Sequence, residues 1–174
     1  MSDKMKNLIV RSITGVIFVA AVVTCFLRPE AMILLFALIT GLTVWEYTGI
    51  VNNIENVTVN RFLATVAGVY LFFGVAGFCS GIVPSAAFIP YLLTVVYMFI
   101  SELYTKAPNP INNWAYTMLS QMYIALPLSM LNVLAFRGTA DGVVYTSLLP
   151  LSVFIFLWTN DTGAYLSGSL FGKH

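Results

Sequence analysis

Charge is what this chain has least of. Of its 174 residues, eight are Lys or Arg and seven are Asp or Glu, 9% in all, against roughly 25% in soluble domains. A chain that is 59% hydrophobic cannot be wrapped in a water-facing surface by so few charges, and a soluble globular fold is excluded. The net charge of +1 provides no basic patch of the kind that phosphate-backbone binding demands, so nucleic acid is not a partner. Histidine occurs only as the last residue, His174, which rules out a histidine-based triad or a histidine metal cluster. The two cysteines, Cys25 and Cys79, lie in separate apolar runs without Cys-x-x-Cys spacing, as small buried hydrophobes do. A Walker A loop to cradle a nucleotide is also missing.

What is abundant is apolar sequence of membrane length, with a mean hydropathy of +0.89. About 20 apolar residues cross a bilayer as a helix. Six stretches qualify, at 9–27, 31–51, 62–80, 84–104, 114–136 and 143–159, the last continuing as helix to about residue 170. The predicted fold class is therefore all-α, a polytopic membrane helix bundle of about six transmembrane helices forming one integral membrane domain over 1–174. The first stretch is too long for a signal-peptide core, and no Ala-x-Ala site precedes Arg28, so it reads as a retained helix. Pro90, Pro127 and Pro150 fall inside stretches, where neighbouring helices and hydroxyls satisfy the carbonyls they free. Trp45, Tyr47, Tyr104, Trp114 and Trp158 stand near stretch ends, as interfacial aromatics do.

With six crossings, the N-terminus, the 52–61 and 105–113 connections and the C-terminus share one side. That side carries Lys4, Lys6, Arg11, Arg61, Lys106 and Lys173, six of the eight basic residues, and the other has Arg28 and Arg137. The positive-inside rule makes the first side cytoplasmic, with both termini.

The apolar run ending at Trp158 leads directly into Asn160 and Asp161. An acid at the edge of a membrane-length segment is costly and is a functional candidate by default. With Asn160 and Thr162 beside it, Asp161 has the oxygen ligands that a hard cation such as Mg²⁺ prefers; it also reads as a helix-end acid resting in headgroup water. At helical spacing Asp161, Ala164, Gly168 and Gly172 share a face, and the Ala164, Gly168, Gly172 ladder predicts close helix packing. Glu46 and Glu102 fall at the same predicted depth as Asp161, so the three acids either line one polar cavity or pair with Lys106 and Arg61. Arg11 is placed to hold a lipid phosphate or to anchor the first helix, and Lys173 to meet a headgroup or a nucleotide phosphate.

Taken together, Trp158-Thr-Asn-Asp-Thr-Gly-Ala-Tyr-Leu-Ser-Gly-Ser-Leu-Phe-Gly-Lys-His174 resembles the corresponding segment of the phosphatidate cytidylyltransferases, or CDP-diacylglycerol synthases. In that family an Asn-Asp-Thr-x-Ala-Tyr run is followed by Gly-x-x-Phe-Gly-Lys-His. The opening Lys6-Asn-Leu-Ile-Val-Arg-Ser-Ile-Thr-Gly15 and Trp45-Glu46-Tyr47 also match, with less specificity. The resemblance implies a multi-pass enzyme of the cytoplasmic membrane that transfers CMP from CTP to phosphatidate with Mg²⁺, releasing pyrophosphate. Asp161 would be the metal ligand and, with Asn160, catalytic; Lys173, Gly172 and Arg11 would bind substrate. The family continues with a Ser-Pro-Lys-Lys-Thr-type segment and a signature rich in Lys, Arg, Asp and Gly, so the chain is expected to be the N-terminal part of such an enzyme and inactive alone. Homo-oligomerisation is open. The rival readings are a small transporter or channel subunit using Glu46, Glu102 and Asp161 as a polar path, and a non-catalytic scaffold packing through Gly168 and Gly172. A transporter favours midplane acids and repeated halves, which this sequence lacks.

Overall fold

The structure is a computed structural model and describes residues 3–171. Helix dominates: α1 (Asp3–Phe26), α2 (Pro29–Val51), α3 (Arg61–Cys79), α4 (Ile89–Thr105, entered through a 3₁₀ turn at Ser85–Phe88), α5 (Pro110–Leu119), α6 (Leu126–Ala135) and α7 (Leu148–Phe171). The all-α expectation holds, with one exception. A two-stranded hairpin, β1 (Phe136–Thr139) and β2 (Gly142–Tyr145), follows α6.

Prolines sit where a missing N–H costs least, in the first turns of α2, α4 and α5. Pro127 is different. It cannot donate to the carbonyl four residues back and its ring crowds that turn. The chain widens ahead of it into a π-helical turn at Ser120–Ala125, with the Leu126 N–H donating to the Gln121 carbonyl. Helix therefore runs without a break from Pro110 to Ala135.

Four helical stretches are long and apolar enough to cross a membrane: Pro29–Val51, Arg61–Cys79, Ser85–Thr105 and Pro110–Ala135. The protein is therefore membrane-embedded. The other two expected crossings differ in kind. Helix α1 runs over Asp3–Phe26 with an apolar stretch at Ile13–Phe26 among the residues whose side chains are described, and α7 has its apolar run cut by Asn160 and Asp161. The expected start at residue 143 is also corrected. Residues 143–145 pair with β1 instead, because Gly142 at φ +122° closes a tight turn that only glycine adopts easily. The Tyr145 hydroxyl then ties the hairpin to the bundle, donating to the Phe26 carbonyl at 2.7 Å. Burial pushes that phenol's pKa up, and the Glu30 carboxylate adds to the effect.

Two clusters form the core. One, beside the hairpin, gathers Phe26, Met32, Phe36, Phe72, Leu131 and Ala135. The other, at the opposite end, gathers Val44, Val57, Val59, Ala64, Leu71, Val75 and Ala125. In this second cluster α3 crosses its neighbours at Gly68, where an added Cβ would lie 3.2 Å from Ala125 Cβ and 3.3 Å from a Val44 methyl. The 52–60 connection proves to be a built element. Asn52 brackets Val59 through both side-chain atoms at 2.9 and 2.6 Å, and Asn60 caps α3 by accepting from the Leu63 N–H at 3.0 Å. Cys25 and Cys79 are both free and half-buried.

Candidate functional site

Helix α7 has two halves. In the first, Pro150 is fully buried and Leu151, Phe154 and Trp158 pack on the core. The Phe154 ring lies 5.6 Å from Phe26, 5.3 Å from Phe36 and 6.0 Å from Trp158. This aromatic stack fixes the helix against α1 and α2. Past Trp158, every described side chain is exposed: 159–165, Ser167 and Gly168.

Asp161 stands on this exposed half, about 20 Å along the helix from Leu148. Asn160 and Thr162 project about 100° to either side of it, so the three oxygen-bearing side chains fan outward and do not converge. Trp158, Thr159, Thr162 and Gly163 line a shallow recess of about 400 Å³ next to Asp161. Among the described residues no three His, Cys, Asp or Glu side chains come together as metal ligands do. One exposed carboxylate cannot form an all-protein cage. It does fit Mg²⁺, which is commonly held by one or two carboxylates together with substrate phosphates and water.

Of the small-residue ladder, Ala164 and Gly168 lie about one turn apart on α7 and are exposed, and no packing against Gly168 is made among the described residues. A Cβ built on Gly163 or Gly168 meets nothing within 4 Å among the described residues. Gly172 and Lys173 lie outside the described residues. The backbone of Arg11 belongs to α1, and its side chain is outside the description.

The three acids do not share a cavity. Glu46 borders an apolar recess with Thr43, Tyr47, Ile50, Tyr123 and Ile124. Glu102 is turned inward, where its Oε1 accepts from the buried Asn113 side chain at 2.6 Å. Asn113 Oδ1 in turn accepts from the Thr58 N–H at 2.7 Å. Glu102 is thus part of a clamp fastening the 52–60 element to α4 and α5, and it pairs with an amide rather than with Lys106. Arg61 pairs with neither glutamate. Its guanidinium stacks 4.2 Å from the Trp45 ring and donates to the Trp45 carbonyl at 2.9 Å. With the acids apart, no continuous polar path of the transporter kind joins them.

Sequence reasoning passed over Asn113 and Gln121. Both are buried, and Gln121 Nε2 donates to the Ala64 carbonyl at 2.9 Å across α3. An amide inside an apolar stretch was the available signal.

Fold and site together define a membrane-embedded helical protein that presents one carboxylate on a half-helix whose described side chains are all exposed. The sequence profile of the Cytidylyltransferase family matches residues 9–174, and the chain belongs to that family, as a CTP-dependent nucleotidyltransferase. No curated protein and no solved structure matches it.

Proposed function

We propose that the protein acts in the transfer of CMP from CTP to phosphatidate, forming CDP-diacylglycerol and pyrophosphate. The family match across 9–174 carries this reading, because it includes the segment where Asp161 stands exposed. A phosphatidate oxygen attacks the α-phosphorus of CTP, the new P–O bond forms, and the bond to the β-phosphate oxygen breaks as pyrophosphate leaves. Both substrates are anionic, and a carboxylate facing them unaided would repel them. Bound Mg²⁺ would neutralise the triphosphate and clamp the attacking and leaving oxygens. Asp161 would hold that cation and Asn160 would orient a neighbouring oxygen. Lys173, Gly172 and Arg11 are the proposed contacts to phosphate.

The polar half of α7 would face the cytoplasm, where CTP is found, since Arg61 and Lys106 stand at the α2–α3 and α4–α5 connections and basic residues gather on that side.

The test offers labelled CTP, phosphatidate and Mg²⁺ to membranes containing the chain, alone and fused to the Lys-, Arg-, Asp- and Gly-rich segment that the resemblance implies. Labelled CDP-diacylglycerol is expected only from the fusion. Turnover by the chain alone would show that the open α7 face suffices. Cytidylyl transfer to another lipid with phosphatidate inert would overturn the acceptor assignment.

A further inference from the structure

On the opposite face of α2 from the α7 contact, α2 and α3 enclose a groove of about 570 Å³ that no residue of the candidate site borders. Leu34, Leu38 and Gly41 of α2 and Thr65, Val69 and Phe73 of α3 line it. The floor is low because Gly41 lacks a side chain; a Cβ there would lie 3.0 Å from a Val69 methyl. The lining is graded. Leu34 and Phe73 make one end wholly apolar, while Thr65 and Trp45 lie toward the other, where Arg61 begins the same stripe of α3 at four-residue spacing.

Arg61 is unusually placed. Its guanidinium is fixed by the Trp45 ring and carbonyl, and it lies flat over Gly49, where a Cβ would come 2.7 Å from Nη2. Among the described residues it has no acidic partner, and its Nε has no hydrogen-bond acceptor. Thr65 Oγ1 is likewise without a partner, whereas Thr40 and Thr48 of α2 donate to carbonyls one turn back. An anchored cation is therefore left unneutralised at one end of an apolar slot. From Arg61 to Phe73 the stripe runs about 18 Å, close to one leaflet of a hydrocarbon core about 30 Å thick.

We infer that this groove binds an anionic phospholipid, with one acyl chain along Val69 and Phe73 and the headgroup phosphate on Arg61. Charge and length select this occupant. A neutral chain would leave the guanidinium uncompensated, and the N–H donors of Arg61 that are neither buried nor taken by the Trp45 carbonyl remain for a phosphate oxygen. The site is separate from Asp161 and does not depend on the cytidylyltransferase reading.

Trp45 is a built-in reporter. The full chain is placed in phosphatidylcholine nanodiscs, and dibrominated phosphatidylglycerol or dibrominated phosphatidylcholine is titrated in. The Trp45 signal is the difference between the wild type and Trp45→Phe. Half-quenching is expected at an anionic mole fraction about five-fold lower than for phosphatidylcholine, the ratio one basic side chain supplies near a membrane surface. Arg61→Gln should bring the two lipids level. Gly49→Ala, which displaces only the flexible end of Arg61, should reduce the preference while leaving the groove walls in place. Equal quenching by both lipids in the wild type, or a preference that survives Arg61→Gln, overturns the inference. Absence of quenching by either lipid, with Trp45 covered by a second copy, also overturns it.

Discussion

At the end of the bundle where α2 meets α3, four amide side chains are engaged with backbone. Asn52 holds Val59, Asn60 caps α3, Asn113 joins Thr58 to Glu102, and Gln121 reaches Ala64. The second half of α7 is built the other way. Thr159 and Ser167 donate only to carbonyls of their own helix, Asn160, Asp161 and Thr162 make no side-chain bond within the described residues, and a Cβ added to Gly163 or Gly168 would meet nothing there within 4 Å. Buried polar groups in apolar surroundings have to be satisfied, so the first set reports the cost of leaving a backbone group unpaired. Groups left free on a helix have no such structural obligation, and the second set is where ligand chemistry has room. The same residue types carry architecture in one region and candidate function in the other.

Substitutions can break that contrast, and the deepest cut is in the packed region. Phe72→Ala should lower stability by about 3 kcal/mol or more, since a fully buried ring is removed from a filled core; unfolding in mixed micelles measures it. Asp161→Asn in whichever form of the protein shows turnover should reduce CMP transfer at least about 100-fold, the scale of losing one electrostatic contact to the transition state. Its thermal midpoint should stay within a degree or two of wild type, because the side chain is exposed. Equal loss of stability and turnover would place Asp161 with the architectural residues.

Asn113→Leu should cost roughly 2 kcal/mol, because the Thr58 N–H and the Glu102 carboxylate both lose their partner; hydrogen exchange at Thr58 should rise with it. Tyr145→Phe removes one bond to the Phe26 carbonyl and should cost about 1 kcal/mol. Because the Tyr145 pKa is raised in the fold, its ionisation works against the folded state. Its contribution is intact below the ordinary tyrosine range near pH 10 and is lost as pH climbs beyond it; ultraviolet titration should find Tyr145 ionising after an exposed tyrosine. The smallest effect belongs to Gly168→Ala. Open space around Gly168 predicts a stability change within about 0.5 kcal/mol. A large loss of activity from that methyl would show that the ladder packs against protein beyond the described residues.

The helical fold was legible because its signal is coarse. Long apolar runs placed α2 and α3 within two residues of their observed ends, whereas Pro90, expected inside a crossing, stands in the first turn of α4. The hairpin was not legible, since Val143, Val144 and Tyr145 are apolar and join the following run without a break in hydropathy. Gly142 was the one local clue. The site was legible as a residue, not as an assembly. Asp161 could be singled out because an acid rarely interrupts such a run, whereas the separation of Glu46, Glu102 and Asp161 depends on which way each helix face turns. That orientation follows from contacts such as Glu102 with Asn113, and spacing along the chain does not encode it.

The wide turn at Ser120–Ala125 amounts to one residue held in reserve. Were that turn to tighten into ordinary helix with every residue kept, everything before it would swing by about 100° relative to α6. Asn113 would leave Thr58 and Glu102, although no residue near the clamp had changed. The rotational setting of α5, and with it the seating of the 52–60 element, is thus determined by the width of a turn that belongs to neither.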